Sequence, residues 1–297
     1  MGKLNRTNIR FNLIAYIFIS ILTILCVLPF VLIISGSFTD ESTLAAYGYR
    51  LIPKVFSTKA YQTIFLYPQG ILRAYAVTTV NTIVGTVIGL VLIAMTGYVL
   101  SRPTFKYRNQ YAFFVYFTTL FGGGLVPWYI LMTKYLQLKD SYLALCLPGL
   151  MTPFLIILMR TFIQSSLPNE IVESAKIDGA GEFRIFTSIV LPIIVPGLAT
   201  VGLFLALGYW NDWYLTSLFI TSPEKYELQF YLYDMLNSSQ ALSRLVATGG
   251  ASIAKIKVPS ETVKLAMSVV VTGPILLLYP FVQKYFVAGI TVGAVKG

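Results

Sequence analysis

Four of the twelve acidic residues in this 297-residue chain fall in one polar connection, as Glu170, Glu173, Asp178 and Glu182. Residues 168–192 read PNEIVESAKIDGAGEFRIFTSIVLP. A carboxylate such as Glu173 beside small residues, Ser174, Ala175, Gly179 and Ala180, suits docking to a basic partner surface. It does not suit bond-breaking. Histidine is absent, which removes the Ser/His/Asp and Cys/His sets of nucleophilic catalysis. Cys26 and Cys146 lie far apart, each inside an apolar block, so no zinc or iron–sulfur spacing exists. No Gly-x-x-x-x-Gly-Lys-Ser/Thr loop is present to cradle ATP phosphates. No acidic pair stands where a glycosidase would need one. The chain reads as no enzyme, with neither metal nor cofactor of its own.

A second cluster, Tyr209-Trp210-Asn211-Asp212-Trp213, has a different chemistry. Aromatic faces stack on the apolar faces of sugar rings, and amide or carboxylate groups bond to hydroxyls. Trp and Tyr also gather at membrane interfaces for purely structural reasons. Asp212 is the one acid expected inside a membrane span, where a charge faces a cavity or a partner. If the span ends earlier, Asp212 simply meets water.

The elements that must carry these residues are membrane spans. Hydrophobic residues make up 56% of the chain and charged residues 11%, against about a quarter charged in soluble domains. The apolar blocks run to roughly 20 residues or more, enough to cross about 30 Å of hydrocarbon as helices. The pattern predicts an all-α integral membrane protein with six transmembrane helices, at about 11–34, 76–100, 113–132, 142–159, 193–220 and 265–287. The first block is too long for a cleavable signal and lacks a small-residue cleavage site, so it is expected to stay as an anchor. We expect a single membrane domain over 1–297, with its core at about 72–288. Gly122-Gly123-Gly124 before Pro127 would let helices approach closely or break the third span, with a packing role favoured over a substrate role. Asn81 is expected to form a helix–helix hydrogen bond.

The net charge of +10 is scattered, with no stripe or dense run, which argues against nucleic acid. Lys3, Arg6 and Arg10 precede the first span, and Arg102, Lys106 and Arg108 fill the second connection, all without acids. The positive-inside rule places these segments and both termini in the cytoplasm. Arg50, Lys54, Lys59 and Arg73 on the opposite side dilute that signal, offset in part by Asp40 and Glu41. In the long connection after span five, Leu228–Met235 reads as a short helix with a break at Thr248–Gly250.

The connection between spans four and five reads as a helix–turn–helix. Pro168 suits a first turn, Glu170 and Glu173 complement the positive helix end, and Gly179 can take the positive φ that turns the chain. A second helix, about Glu182–Val190, runs to Leu191-Pro192. Ala175 and Gly179 would keep the docking surface thin. From the residues alone, an ordinary interfacial amphipathic hairpin is an equal reading.

Glu173-Ser174-Ala175, then Asp178-Gly179-Ala180, then Leu191-Pro192 resembles the signature loop of permeases from binding-protein-dependent ABC importers. Ser174 stands where alanine is commoner in that family. The resemblance implies that 168–192 is a coupling helix-turn-helix docking on a cytoplasmic ATPase subunit. Tyr209–Trp213 resembles the Trp-Asn-x-aromatic element of the carbohydrate branch, the smaller permease of maltose-type, complex-oligosaccharide systems. The tail is similar as well, which implies that Gly293, Lys296 and Gly297 reach the ATPase dimer. The likeness implies further partners: a second permease of different sequence, two ATPase subunits carrying ATP and Mg, and an extracellular solute-binding protein. It implies an oligosaccharide cargo, moved by alternating access across a bacterial cell membrane. Two rivals stay open, an importer of a non-sugar solute and an ion-driven secondary transporter. The latter would want inverted repeats, broken helices or several buried ionisable groups.

Overall fold

The computed structural model describes residues 6–66, 68–247 and 260–276. Among these residues the chain is helical, apart from connections and one isolated bridge between Thr39 and Phe56. The helices are α1 (Arg6–Ser37), α2 (Glu41–Tyr47), α3 (Lys59–Leu66), α4 (Gln69–Ser101), α5 (Arg108–Leu120) and α6 (Leu125–Ile130). They continue as α7 (Tyr142–Cys146), α8 (Pro153–Ser166), α9 (Asn169–Ile177), α10 (Glu182–Ile185) and α11 (Leu191–Ile193). The last named are α12 (Val195–Trp210), α13 (Tyr214–Phe219) and α14 (Leu228–Ala247), and 261–276 is also helical. The chain divides into two compact units.

One unit takes in Met1–Pro68 and Asp234–Gly273. Its α1 exposes apolar side chains all round, from Phe11 and Ile14 to Phe30 and Ile34, as a lipid-facing helix must. Glu41 is the clasp of this unit. Its carboxylate accepts the backbone N–H groups of Glu261 and Thr262, at 3.1 and 3.0 Å, and the Thr262 hydroxyl at 2.7 Å. These are orphan donors of a helix start, so the carboxylate caps it.

The other unit includes Gln69–Tyr233 and is built on α4, 33 residues long, with α8 and α12 packed along it. Small residues on α4 permit the close approach. A methyl on Gly85 would collide with the Tyr209 ring, and one on Gly97 would lie 2.8 Å from Met159 Cγ. Ile93, Tyr98, Met159, Ile163, Val172, Ile185, Val190 and Leu205 belong to one buried core that continues from α4 into the connection after α8.

Three predicted spans are broken. α5 and the stretch Leu125–Tyr135 meet at 110°, with Gly124 at φ +86 between them. Gly122 and Gly123 have nothing of this chain within 4 Å of an added methyl, so within the described residues the triplet breaks the span, one of the two roles expected of it. Tyr142–Gly149 and α8 bend by 43°. Glu182–Ile193 and α12 bend by 83°, where Pro196 has no N–H to continue the ladder to Pro192. The expected fifth span, 193–220, is also interrupted at Asn211–Trp213, after which α13 begins. α14 runs 20 residues, far beyond the short helix predicted at Leu228–Met235. The predicted break at Thr248–Gly250, the end of the sixth span beyond 276, and the tail residues Gly293, Lys296 and Gly297 lie outside the described residues.

Candidate functional site

The connection after α8 folds as the predicted hairpin. Glu170 lies in the first turn of α9 and Lys176 in the last, matching the helix dipole at both ends. Gly179 turns the chain at φ +80, and the Ala180 N–H closes back on the Ala175 carbonyl at 2.9 Å. α10 leaves the turn and continues through a π-helical stretch, Phe186–Val190, into Leu191 and Pro192. The hairpin is thus apolar at its base and open at its tip.

Its two faces differ sharply. Val172 and Ile185 are fully buried, and Ala175 is 9% exposed, so Ala175 packs inward and does not thin the outer surface as expected. Glu170, Glu173, Ser174, Asp178 and Gly179 are exposed, and Ala180 is half-buried. Ile177 at 87% and Phe183 at 74% are exposed as well, although both are large and apolar. Sequence reading missed these two, because a lone apolar residue near a turn carries no periodic signal. Lys176 Nζ lies 2.5 Å from Glu182 Oε1, bridging the two arms.

The end of α4 holds the hairpin in place. Tyr98 donates its hydroxyl to Glu182 Oε2 at 2.7 Å, and Arg102 Nη1 reaches Asn169 Oδ1 at 3.5 Å. Arg102 is 6% exposed and lies 5.8 Å from the Tyr98 ring centre. A residue predicted only as a topology signal is therefore part of the hairpin's socket.

The aromatic cluster lies about 25 Å away along α4, at the level of Asn81, at 1.5 Å per residue. Its five residues divide. Tyr209 is 4% exposed; its ring lies against Gly85 and Gly149, and its hydroxyl donates to the Cys146 carbonyl at 2.7 Å. Trp210 is 7% exposed, with its ring edge toward Tyr75. These two are packed inside the unit. Asn211 and Trp213 are exposed at the end of α12. Trp213 stacks on Tyr233 with ring centres 4.5 Å apart, and Asn211 Oδ1 accepts from Gln229 Nε2 at 3.3 Å. Asp212 is half-buried and its Oδ1 accepts the Leu215 N–H at 2.9 Å, capping α13. Beside them a cavity of about 560 Å³ is lined by the glycine triplet, Pro127, Trp128 and Tyr214. Gln229, Tyr233 and Trp128 went unnoticed in the sequence because they meet the cluster only through folding.

Two further polar centres secure the same end of the unit. Asp140, at φ +57, accepts the Thr221 and Ser222 N–H groups, each at 3.0 Å, and the Ser222 hydroxyl at 2.6 Å. Lys225 Nζ donates to Asp140 Oδ2 at 2.8 Å. These partners hold the Asp140 carboxyl far below its ordinary range, Lys225 contributing most. Asn81 donates not to another span but to the buried Glu227, at 2.9 Å. Among the described residues no group of three or more His, Cys, Asp or Glu side chains could hold a metal ion.

A helical unit with broken membrane helices, an exposed hairpin at one end and an aromatic-amide patch at the other defines a transport component. Residues 113–292 match the family model of the binding-protein-dependent transport system inner membrane component. The chain is 41% identical over 271 residues to protein LplC of Bacillus subtilis, covering 91% of this chain and 90% of that one. It is 37% identical to the polygalacturonan/rhamnogalacturonan transport system permease protein YtcP of Bacillus subtilis, covering 98% and 99%. It is 30% identical to the arabinooligosaccharides transport system permease protein AraQ of Halalkalibacterium halodurans, covering 92% of each. Among solved structures, a bacterial ABC transporter involved in the import of the acidic polysaccharide alginate superposes with a TM-score of 0.81. That match has 27% identity and covers 96% of this chain and all of the other. The chain belongs to the family of inner membrane components of binding-protein-dependent transport systems. It is a multi-pass membrane permease of an ABC importer and not an enzyme; ATP hydrolysis lies on separate subunits.

Proposed function

We propose that this permease forms half of the translocation path for an oligosaccharide and receives the power stroke through the hairpin 168–192. The observation that carries the coupling role is the exposed tip. Ile177 and Phe183 stand in water while Val172 and Ile185 anchor the base at full burial. Exposed apolar side chains rimmed by polar residues, outside the lipid-facing spans, suit a protein-docking face. Glu173, Ser174, Asp178 and Gly179 surround them and complete the face that docks on an ATPase subunit.

In this reading six spans cross the cell membrane, the sixth near 265–287, with both termini and the hairpin in the cytoplasm. A second permease of different sequence completes the path over two ATPase subunits, which bind ATP and Mg. Gly293, Lys296 and Gly297 add a tail contact to them. Closure of the ATPase pair draws the two hairpins together. The Tyr98–Glu182 and Arg102–Asn169 contacts then pass the displacement to α4, which carries it to the far end.

An extracellular binding protein delivers the cargo to that far end. The Trp213–Tyr233 stack and the Asn211–Gln229 pair offer ring faces and amides to a sugar, with Asp212 beside them and Tyr209 and Trp210 as their packed support. The names of the relatives, for polygalacturonan/rhamnogalacturonan, arabinooligosaccharides and the acidic polysaccharide alginate, favour a saccharide cargo over other solutes. Uptake of labelled oligogalacturonides, arabino-oligosaccharides and maltodextrins by cells expressing the whole importer tests the cargo. Uptake of none of them, alongside uptake of an amino acid or phosphonate, rejects it.

A further inference from the structure

Glu227 is 1% exposed, a rare state for a carboxyl, and the transport account so far gives it no part. Its Oε1 accepts from Asn81 Nδ2 at 2.9 Å and its Oε2 from Thr216 Oγ1 at 2.8 Å. The next N–H in the chain, of Leu228, donates to Thr78 Oγ1 at 2.8 Å, and the Glu227 carbonyl accepts from Tyr231 N–H, also at 2.8 Å. Thr78 and Thr216 are fully buried, and Asn81 is 9% exposed. Three elements therefore meet at one residue: α4 and α13 on its side chain, and the start of α14 through its backbone. Trp213 immediately precedes α13, and Tyr233 lies on the second turn of α14. The two rings that stack belong to the two segments that Glu227 fastens to α4.

The geometry points to Glu227 as a positioning residue for cargo recognition: its buried carboxyl fixes α13 and α14 on α4, so that the Trp213–Tyr233 stack keeps its place. This rests on the reading of that stack as a sugar contact.

The fastening depends on protonation. Burial pushes the Glu227 carboxyl up to about 7, opposed by the hydrogen bonds from Asn81 and Thr216 and assisted by the negative charge of Asp212. The other titratable group acting on it is the Tyr209 phenol of α12; α4 meets it with the neutral Asn81. A folded value raised from 4.5 to about 7 gives a definite sign. The contribution to stability is full below 4.5 and is lost as pH climbs through about 7. At pH 8 the carboxylate carries a buried charge with two side-chain donors against it, and the fastening loosens.

The test uses the full chain alone in lipid nanodiscs, with Trp213 as the sole tryptophan after Trp128→Phe and Trp210→Phe. Acrylamide quenching of Trp213 is read from about pH 5.5 to 8.5, the range that brackets the titration. Quenching is expected to rise with a midpoint near 7. With Glu227→Gln added, an uncharged isostere that can accept from Asn81 and donate to Thr216, it stays low and flat. With Glu227→Ala it is high throughout. Should the tryptophan variants not fold, hydrogen exchange of the Leu228 amide in the unmodified chain, corrected for intrinsic rate, reports the same loosening. A pH-independent signal in the unmodified acid, or a Gln variant that follows it, overturns the proposal. No sugar enters either measurement, so a mistaken cargo would leave both results unchanged and would surface only in the uptake panel.

Discussion

Tyr98, near the end of α4, donates its hydroxyl to Glu182, the first residue of the hairpin's second arm, across 2.7 Å. A long membrane helix is thereby bonded to the second arm of the hairpin. Removing the hydroxyl in Tyr98→Phe leaves the ring packed near Phe186 and Arg102 and deletes only the bond. Glu182 keeps Lys176 and is itself more than half exposed, so the loss is about 0.5–1.5 kcal/mol, the range of an ordinary bond, and not more. We expect stable, assembled importer whose ATPase runs on while sugar uptake per ATP falls. Parallel assays of both rates in proteoliposomes check this. An unchanged ratio removes Tyr98 from the coupling route.

Tyr209 fills a slot made by the absence of side chains. A built Cβ on Gly149 would lie 2.8 Å from its hydroxyl oxygen, and one on Gly85 would meet its ring more closely still. Gly85→Ala must displace the ring and the bond to Cys146, costing about 1–3 kcal/mol as overpacking. Thermal unfolding of the detergent-purified chain should show a clear drop. Tyr209→Phe should cost less, about 1 kcal/mol for the lost hydrogen bond.

The Asp140 clasp has the opposite pH sign to Glu227. Its carboxyl is held well below the ordinary 3.8 by Lys225, Ser222 and the Thr221 N–H, so its contribution is present above 3.8 and lost as pH falls through the lower folded value. Asp140→Ala should make the 221–226 connection more susceptible to limited proteolysis at neutral pH. Asp140→Asn should be milder, because asparagine accepts the positive φ and keeps one acceptor. Equal cleavage of all three chains would show that the clasp does not order this connection.

The hairpin tip offers a test independent of folding. Ile177 and Phe183 touch little of their own chain, so Ile177→Ser and Phe183→Ser should leave thermal stability within about 0.5 kcal/mol. Both should weaken recovery of the ATPase subunit on co-purification. Retention of the ATPase at full yield by the double variant would move the docking face elsewhere.

Much of this was legible in the residues, and the failures have physical causes. The hairpin could be read because Pro168, the acids of the first turns and Gly179 are local signals that act where they stand. Gly122–Gly124 and Leu191-Pro192 marked a possible break and a span boundary, but the bends of 110° and 83° there stayed hidden, since hydropathy sums over a window and does not register direction. The aromatic cluster was visible as composition, but its division was not. Tyr209 turns inward where α4 carries glycine at 85, Trp210 packs beside Tyr75, and Trp213 turns outward to meet Tyr233, twenty residues on. Glu227 lies in a polar connection and carries no local signal of burial. Only the fold brings it to Asn81, for which a helix–helix hydrogen bond was expected and whose partner is the residue just before α14.

The central claim, that this permease is driven through its hairpin, is tested most directly by purifying the tagged chain from gently solubilised membranes and identifying its companions by mass spectrometry. The account predicts recovery of an ATPase and a second permease. It also predicts that Gly179→Leu, which forces a branched side chain to φ +80 at a cost of about 1–2 kcal/mol, loses the ATPase but keeps the permease partner. Recovery of the chain without any ATPase, or undiminished ATPase binding by the Gly179→Leu variant, would contradict it.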